Sequence, residues 1–565
     1  MKNRERTFEL AKAREYDLII IGGGIVGAGI AQDAACRGLS VLLIEKDDFA
    51  AHTSSKTTKL IHGGLRYLEQ GHLKLTYQLS QERALLEQLA PHLVKDISFV
   101  LPLTDKDRIF GWKARIGLTL YDLLSSGLFH DGQHHEKLEP KEIFEAAPAL
   151  AQENITGGLR FHDAITDDAR LVLTVIKSAM SQGAHVLNYL EAVNLKYHDK
   201  VVREVECRDR LDGATATLRC KVCVNAAGVF SDQIIGMVKK NWKPRIIPGK
   251  GIHIVLPFSA FPTNTGLFLP TPDKRYVFVL PWQRALMVGT TDSAYSGDLN
   301  NPVPTSNEID YLLQILNKYN GGRPLNRTDV KAAWAGIRPL ISPVDLNKAP
   351  EKSKQPETKV NNNGNSPSTF KLSREHEIFI GPKGLVNVIG GKLTNYRLMA
   401  EQVIDRVLER YPDLTRVEGK RTRTKRLMLG GWLDKEDFLA STAVIASRAR
   451  KLFLDPATID HLTSTYGKEA LTILDLIEIN PELKERICPD FPPIMAEVNY
   501  SVEHEMAVSL EDVLSRRTRL AMLNQDQCLE SAPKVVHYMQ SLLDWDNIRV
   551  EAELIALEAS FYKIN

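Results

Sequence analysis

The stretch from position 16 to 45, YDLIIIGGGIVGAGIAQDAACRGLSVLLIE, leaves few folds open to the chain around it. The apolar run 18–21 predicts a buried strand. Gly22, Gly24 and Gly27 follow at G-x-G-x-x-G spacing. Positions 25–37 carry helix formers with small residues on one face, and Gly38 is a natural stop. A second apolar run at 41–44 ends at Glu45. Strand, glycine turn, helix, strand and acid at these distances predict a βαβ dinucleotide unit. In such a unit Gly22 permits the tight turn, and Gly24 lets backbone approach a pyrophosphate. Gly27 lets helix and strand pack closely, and Glu45 accepts from ribose hydroxyls. The helix N-terminus adds unpaired N–H groups and a positive dipole. A glycine-rich surface turn would not explain apolar runs on both sides.

At 565 residues the chain is long enough for roughly two to four domains. A net charge of +2 excludes nucleic acid as a main partner. The six cysteines are sparse, as suits a reducing compartment. Cys220 and Cys223 stand in a strand-like run, where i and i+3 point to opposite faces, so no metal or redox pair is expected of them. No metal-ligand set is read elsewhere. No apolar run approaches the ~20 residues that span a bilayer. Positions 1–14 are charged and read as a short helical arm.

After Glu45, the segment 50–75 brings hydroxyl groups, Ser54, Ser55 and Thr57, suited to a loop around phosphate or ribose. Gly63 and Gly64 then let backbone approach something flat. Arg66 and Tyr67 follow, and arginine is the residue of bidentate anion recognition. His62 reads as a buried, hydrogen-bonded histidine.

The runs GGGIVGAGIAQDAACRGLSVLLIEKDD and SSKTTKLIHGGLRYLE resemble the FAD-dependent glycerol-3-phosphate dehydrogenases, respiratory flavoenzymes of the D-amino-acid-oxidase-like superfamily. RIGLTLYDLL, HDAITDDARLVL, VNAAGVFSD, GKGIHIVLP, FVLPWQRALMVGTTD, AGIRPL and GGKLTNYRLMAE continue the resemblance in family order to about position 410. EVNYSVEHEMAVSLEDVLSRRTRLAML extends it more weakly to 523.

The remaining chain is read both ways. The segment 106–126 is amphipathic and expected to face the core, with a membrane-surface helix as the alternative. Positions 166–173 open a helix with carboxylates in its first turn. From 246 to 293 short alternating strands predict an antiparallel sheet, the expected substrate domain. His253 lies in mid-strand, and Thr290, Thr291 and Asp292 form a turn expected near the flavin. Arg338 sits in an apolar, glycine-bearing stretch and needs an anionic partner. Positions 345–369 are expected to form a mobile surface loop, ending near Arg374, which aligns with a family substrate arginine. At 385–394 the strand–glycine–helix logic returns: Gly391, Lys392 and Thr394 would meet the flavin with a helix N-terminus and a full positive charge. The basic run 420–426 reads as a solvated linker, and 433–565 as helical.

The expected fold is therefore α/β. A Rossmann-like FAD-binding domain (about 15–100, 160–235 and 380–410) is interleaved with an antiparallel-sheet substrate domain (about 101–159 and 236–379). An all-α C-terminal domain covers 411–565. The resemblance implies FAD as cofactor and oxidation of sn-glycerol 3-phosphate to dihydroxyacetone phosphate. Hydride would go to the flavin, and the hydroxyl proton to a base. His253 is the favoured base, kept neutral by neighbouring cations; Arg338 is the rival, as a polariser of the hydroxyl. Lys392 completes the catalytic set. Arg66, Tyr67 and Arg374 are the substrate-binding candidates, and which cation grips phosphate stays open. The cofactor-binding set is Gly22, Gly24, Gly27, Glu45, Ser54, Ser55, Gly63, Thr290, Thr291, Gly391, Lys392 and Thr394. Implied partners are a quinone acceptor and an anionic membrane surface, at the cytoplasmic face of the cell membrane, with a homodimer as one open assembly. Oxygen as acceptor, or a flavin-binding sensor without turnover, are the alternative readings.

Overall fold

The computed structural model describes residues 2–562 apart from 70, 106–107, 126–133, 274, 344–374 and 416–420. The loop expected at 345–369 and Arg374 lie outside the described residues.

The apolar run after position 14 folds as the strand Glu15–Ile21, in register beside Val41–Ile44 and Thr215–Asn225, both parallel to it. His185–Leu187 extends the sheet beyond Val41–Ile44, and Val386–Gly390 pairs with Thr215–Asn225 on the other side. His376–Ile380 closes that edge antiparallel. Leu190–His198 and Val201–Asp209 add an antiparallel ribbon. The helices Ile25–Cys36, Asp168–Ser181 and Tyr396–Arg410 bury their apolar stripes on one face of this sheet, around Leu18, Ile20, Val222 and Val388. A parallel sheet buried on both faces needs near-continuous Val, Ile and Leu, and these strands have it.

The second sheet is mixed. Its central strand, Ile246–Pro257, lies antiparallel between Ala285–Gly289 and Ala332–Ile341. Tyr276–Trp282, Gly266–Pro270, Lys95–Thr104 and Ile155–Ile165 follow outward. Chain passage between the sheets therefore differs from the expected boundaries. Lys95–Thr104 and Ile155–Ile165 pair wholly within the second sheet, while His376–Ile380 belongs to the first. Ladder pairing decides this, and a period-2 pattern does not state which ladder a strand joins.

The expected N-terminal arm is the helix Lys2–Ala13, tied down by Arg4, whose guanidinium donates to the Asn188 carbonyl and Asp209. From Lys435 onward the chain is helical, around a core that includes Ile473, Val498, Val513 and Val535. This domain is clamped to the cofactor lobe by buried ion pairs, Arg516 and Arg517 on Asp48 and Arg170 on Glu505.

Two expectations are corrected here. Cys220 and Cys223 enter the same buried cluster as Cys207, and the neighbouring Cys220 together with burial pushes the Cys223 thiol pKa well up. Strand alternation slips by one residue where Tyr16 and Leu18, the partners of Cys220 and Val222, enter opposite clusters. The helix Arg108–Ser125 is two-faced rather than simply core-facing. Leu118 and Tyr121 are buried, but Trp112, Ile116 and Leu123 are 66%, 50% and 70% exposed.

Candidate active site

The glycine turn has the geometry its spacing predicts. Gly22 has φ +118°, and a Cβ there would press on the Ala226 carbonyl across the sheet. A Cβ on Gly27 would land on the Gly22 carbonyl oxygen, so helix and strand touch through this glycine. The helix Ile25–Cys36 begins at Gly24 with no acidic residue in its first turn and no side-chain cap from Gly24. Glu45 accepts from the Gly23 N–H (2.7 Å) and the Asp47 N–H (2.9 Å), which aims its carboxylate at the turn. Burial pushes its pKa up. Ser54 Oγ accepts from the Ile25 N–H at 3.1 Å and sits 3.0 Å from where a Gly24 Cβ would be. Gly22, Gly24, Glu45 and Ser54 line a cavity of about 220 Å³ that ends at Gly391 and Lys392.

A second cavity, about 280 Å³, continues from that end between the two sheets and shares Thr53, Thr57, Pro339 and Lys392 with the first. Here lie Tyr67, His253, Thr290, Thr291 and Arg338, joined from segments far apart in sequence. Arg338, on the strand Ala332–Ile341, donates to Thr290 Oγ1 (3.0 Å) and to the Thr291 carbonyl (3.2 Å). It also lies 3.4 Å from Asp292 Oδ1. Lys392 stands over the Tyr67 ring at 4.1 Å. His253 is 2% exposed; its ring stacks on Trp334 at 5.5 Å and its Nε2 lies 3.1 Å from Thr58 Oγ1. Burial first, then the charges of Lys59 and Arg338, pull the His253 pKa down to about 3. The imidazole is thus neutral at ordinary pH, and its Nδ1 is buried with no hydrogen-bond partner among the described residues.

Several expected cofactor residues are otherwise employed. Ser55 donates to the His52 carbonyl and lies outside both cavities, because the 3-10 turn Thr53–Ser55 points successive side chains apart. Gly63 is required by protein packing: a Cβ there would strike Tyr121 Oη and Ser80 Oγ, and its N–H donates to Tyr121 and Asp163. Thr394 Oγ1 is taken up by the backbone of His62, accepting from its N–H and donating to its carbonyl. The helix that was to begin there starts two residues later, at Tyr396. Arg66 lies on the helix Leu65–Glu69, and its side chain is outside the described residues.

Sequence reasoning missed Lys59, Asp168 and Arg519, a fully buried group beneath His253. Lys59 donates to Asp168 (2.6 Å) and the Ser55 carbonyl (2.7 Å), and Arg519 to Asp168 (2.8 Å). Burial, with the Arg519 charge, brings the Lys59 pKa down to about 8. It also missed Arg275, which lines the cavity while paired with Asp273. Nothing local separates Arg275 from an ordinary turn arginine. Glu45, Asp47 and His52 place three ligand atoms within 4.8 Å of one another. Asp47 is bonded to both Glu45 and His52, Glu45 also to Gly23, and Arg210 pairs with Asp47, so the group holds a turn together.

Residues 17–351 match the family model described as FAD dependent oxidoreductase, and 422–550 the C-terminal domain of alpha-glycerophosphate oxidase. Glycerol-3-phosphate dehydrogenase of Mycobacterium leprae is 34% identical over 98% of this chain and 91% of its own length. The chain belongs to the FAD-dependent glycerol-3-phosphate dehydrogenases. The mouse mitochondrial glycerol-3-phosphate dehydrogenase is 33% identical over 96% of this chain and 73% of its own length. A solved structure of the Bacillus halodurans glycerol-3-phosphate dehydrogenase, complexed with FAD, shares the fold. It has a TM-score of 0.78 and 28% identity, and covers 99% of this chain and 97% of its own. For a member of this family the two joined cavities have the right chemistry. The glycine turn and the helix N-terminus, free of acidic residues in its first turn, suit a pyrophosphate, Glu45 a ribose, and the junction at Gly391 and Lys392 a flavin ring.

Proposed function

We propose that the protein oxidises sn-glycerol 3-phosphate to dihydroxyacetone phosphate in the inner cavity and passes the electrons to a membrane quinone. The observation that carries this reading is the convergence of Arg338, Lys392 and neutral His253 on one chamber at the end of the cofactor channel. FAD, when bound, supplies the hydride acceptor. Arg338 and Lys392 offset the charge of the substrate's phosphate, about −1.5 to −2 at neutral pH. Arg66 and Arg374 are proposed to join them. His253 accepts the C2 hydroxyl proton at a ring nitrogen. The cations beside it keep it free to do so, and Arg338, held by Thr290 and Thr291, polarises the same oxygen. The joined walls of the two sheets shield the reacting atoms from water.

Under nitrogen, glycerol 3-phosphate should bleach the visible absorbance of the bound flavin. Unchanged absorbance with a full complement of FAD would overturn the reading. The oxidase alternative is favoured by the match of residues 422–550, and oxygen uptake without added quinone would establish it. Among the described residues no helix is long and apolar enough to cross a membrane. Access to a quinone is therefore proposed through the exposed face of Arg108–Ser125, with Trp112, Ile116 and Leu123, beside the exposed Leu73 and Tyr77 of the neighbouring helix Leu73–Leu89. Two further basic segments differ from each other. In 239–245, Trp242 donates to Asp232 and Arg245 is buried against Glu377, while Lys240 and Lys243 are exposed. Arg421, Arg423, Lys425 and Arg426 are exposed.

A further inference from the structure

A third cleft, about 480 Å³, opens where the cofactor lobe, the second sheet and the C-terminal helices meet. It borders the cofactor channel at Ala51 and His52 and the substrate chamber at Lys56, but the reaction as derived leaves it unused. Two of its donors lack an acceptor. The Trp334 indole N–H is buried, on a residue 7% exposed, and has no hydrogen-bond partner among the described residues. The Lys56 ammonium likewise has no hydrogen-bonded acceptor among them. Its charged neighbours are Glu511 and Arg516, and these are paired with each other at 2.9 Å. A buried indole N–H without an acceptor costs free energy, and the half-buried Lys56 adds a cation beside it. Burial holds the Lys56 pKa below the usual lysine range, against the opposing charge of Glu511. The Gln525 side chain adds an amide to the rim, while Val303, Met522 and Phe561 supply an apolar wall.

We propose that this cleft is a binding site for a small organic oxyanion, gripped by Lys56 and the Trp334 N–H, with its carbon body against the apolar wall. The site touches the catalytic machinery at Lys56, which also lines the substrate chamber, and through Trp334. The Trp334 ring stacks on His253 at 5.5 Å and 19°, so a ligand bonded to Trp334 bears on the position of the base. A carboxylate and a phosphate share the recognising chemistry, and citrate and inorganic phosphate serve as separate probes.

The test is calorimetric titration of the FAD-loaded protein under nitrogen, with and without saturating glycerol 3-phosphate. The expected result is one site for citrate or for phosphate that survives saturation of the substrate chamber. Trp334→Phe, which keeps the stacking ring and removes the N–H, and Lys56→Met should each weaken it at least tenfold. An effect in citrate alone identifies a carboxylate ligand, and in phosphate alone a phosphate ligand. No millimolar binding of either probe overturns the proposal. So does complete displacement by glycerol 3-phosphate, or an unchanged affinity in Trp334→Phe. Bleaching of the flavin by glycerol 3-phosphate in the same sample tests the substrate reading separately.

Discussion

Arg338→Ala removes the side chain on which the substrate chamber is built. The wild-type guanidinium is 22% exposed toward the chamber, and its nitrogens reach Thr290 Oγ1, the Thr291 and Lys250 carbonyls and Asp292. It is therefore pre-oriented, and little of its binding free energy goes into ordering the side chain. Truncating one partner of a buried, hydrogen-bonded charge pair costs about 2–5 kcal/mol. At about 1.36 kcal/mol per factor of ten, that is roughly a 30-fold to several-thousand-fold fall in kcat/KM for glycerol 3-phosphate. A share of the loss belongs to Asp292. Its side chain is 5% exposed, and without Arg338 it would face an anionic substrate. The double variant Arg338→Ala, Asp292→Asn should then recover about tenfold over Arg338→Ala, within the coupling range of contacting residues. Arg338→Lys should rescue only partly, because an ammonium lacks the planar fork that spans these acceptors. Steady-state kinetics with an artificial acceptor gives the numbers, and flavin content, expected to stay normal, separates substrate loss from cofactor loss. Near wild-type kcat/KM in Arg338→Ala at full flavin content would refute the assignment of the chamber.

The two turn glycines should fail differently. Gly24→Val should yield folded protein without FAD, since the nearest protein atom is a serine hydroxyl at 3.0 Å. Gly27→Ala should fail to accumulate folded, because its Cβ meets a backbone carbonyl; expression and flavin content distinguish the two. His253 and His92 are both buried with pKa values near 3. Below the unfolded value of about 6.5 the unfolded chain binds protons that the native one refuses. Each histidine's contribution is thus present above pH 6.5 and lost toward pH 3, at about 1.4 kcal/mol per pH unit. His253→Gln should flatten the fall in urea midpoint between pH 7 and 5, and an unchanged slope would contradict a neutral native imidazole. Trp112→Ser with Leu123→Ser should abolish sedimentation with anionic vesicles while leaving flavin bleaching intact. Equal sedimentation of wild type and variant would remove the helix Arg108–Ser125 from the membrane surface.

The cofactor half of this protein was legible in one dimension because its determinants are local. A G-x-G-x-x-G turn works through backbone within six residues, and its flanking strands announce themselves by apolar runs. Gly22, Gly24, Gly27, Glu45 and Ser54 accordingly line the first cavity or its turn. The helical character of the C-terminal part was legible for the same reason. Tertiary structure alone decided the rest. Gly63 reads as a ligand-facing glycine and is in fact filled from above by Tyr121 and Ser80, residues brought there by other helices. Thr394 has a hydroxyl that spacing offers to a cofactor, and the backbone of His62, 332 positions away in sequence, takes it instead. The buried set of Lys59, Asp168 and Arg519 spans 460 positions of chain, with each member unremarkable in its own window. Desolvation and paired charge, which lower the His253 pKa and seat Lys59 beneath it, arise only when such segments are packed together, and no local pattern of residues encodes them.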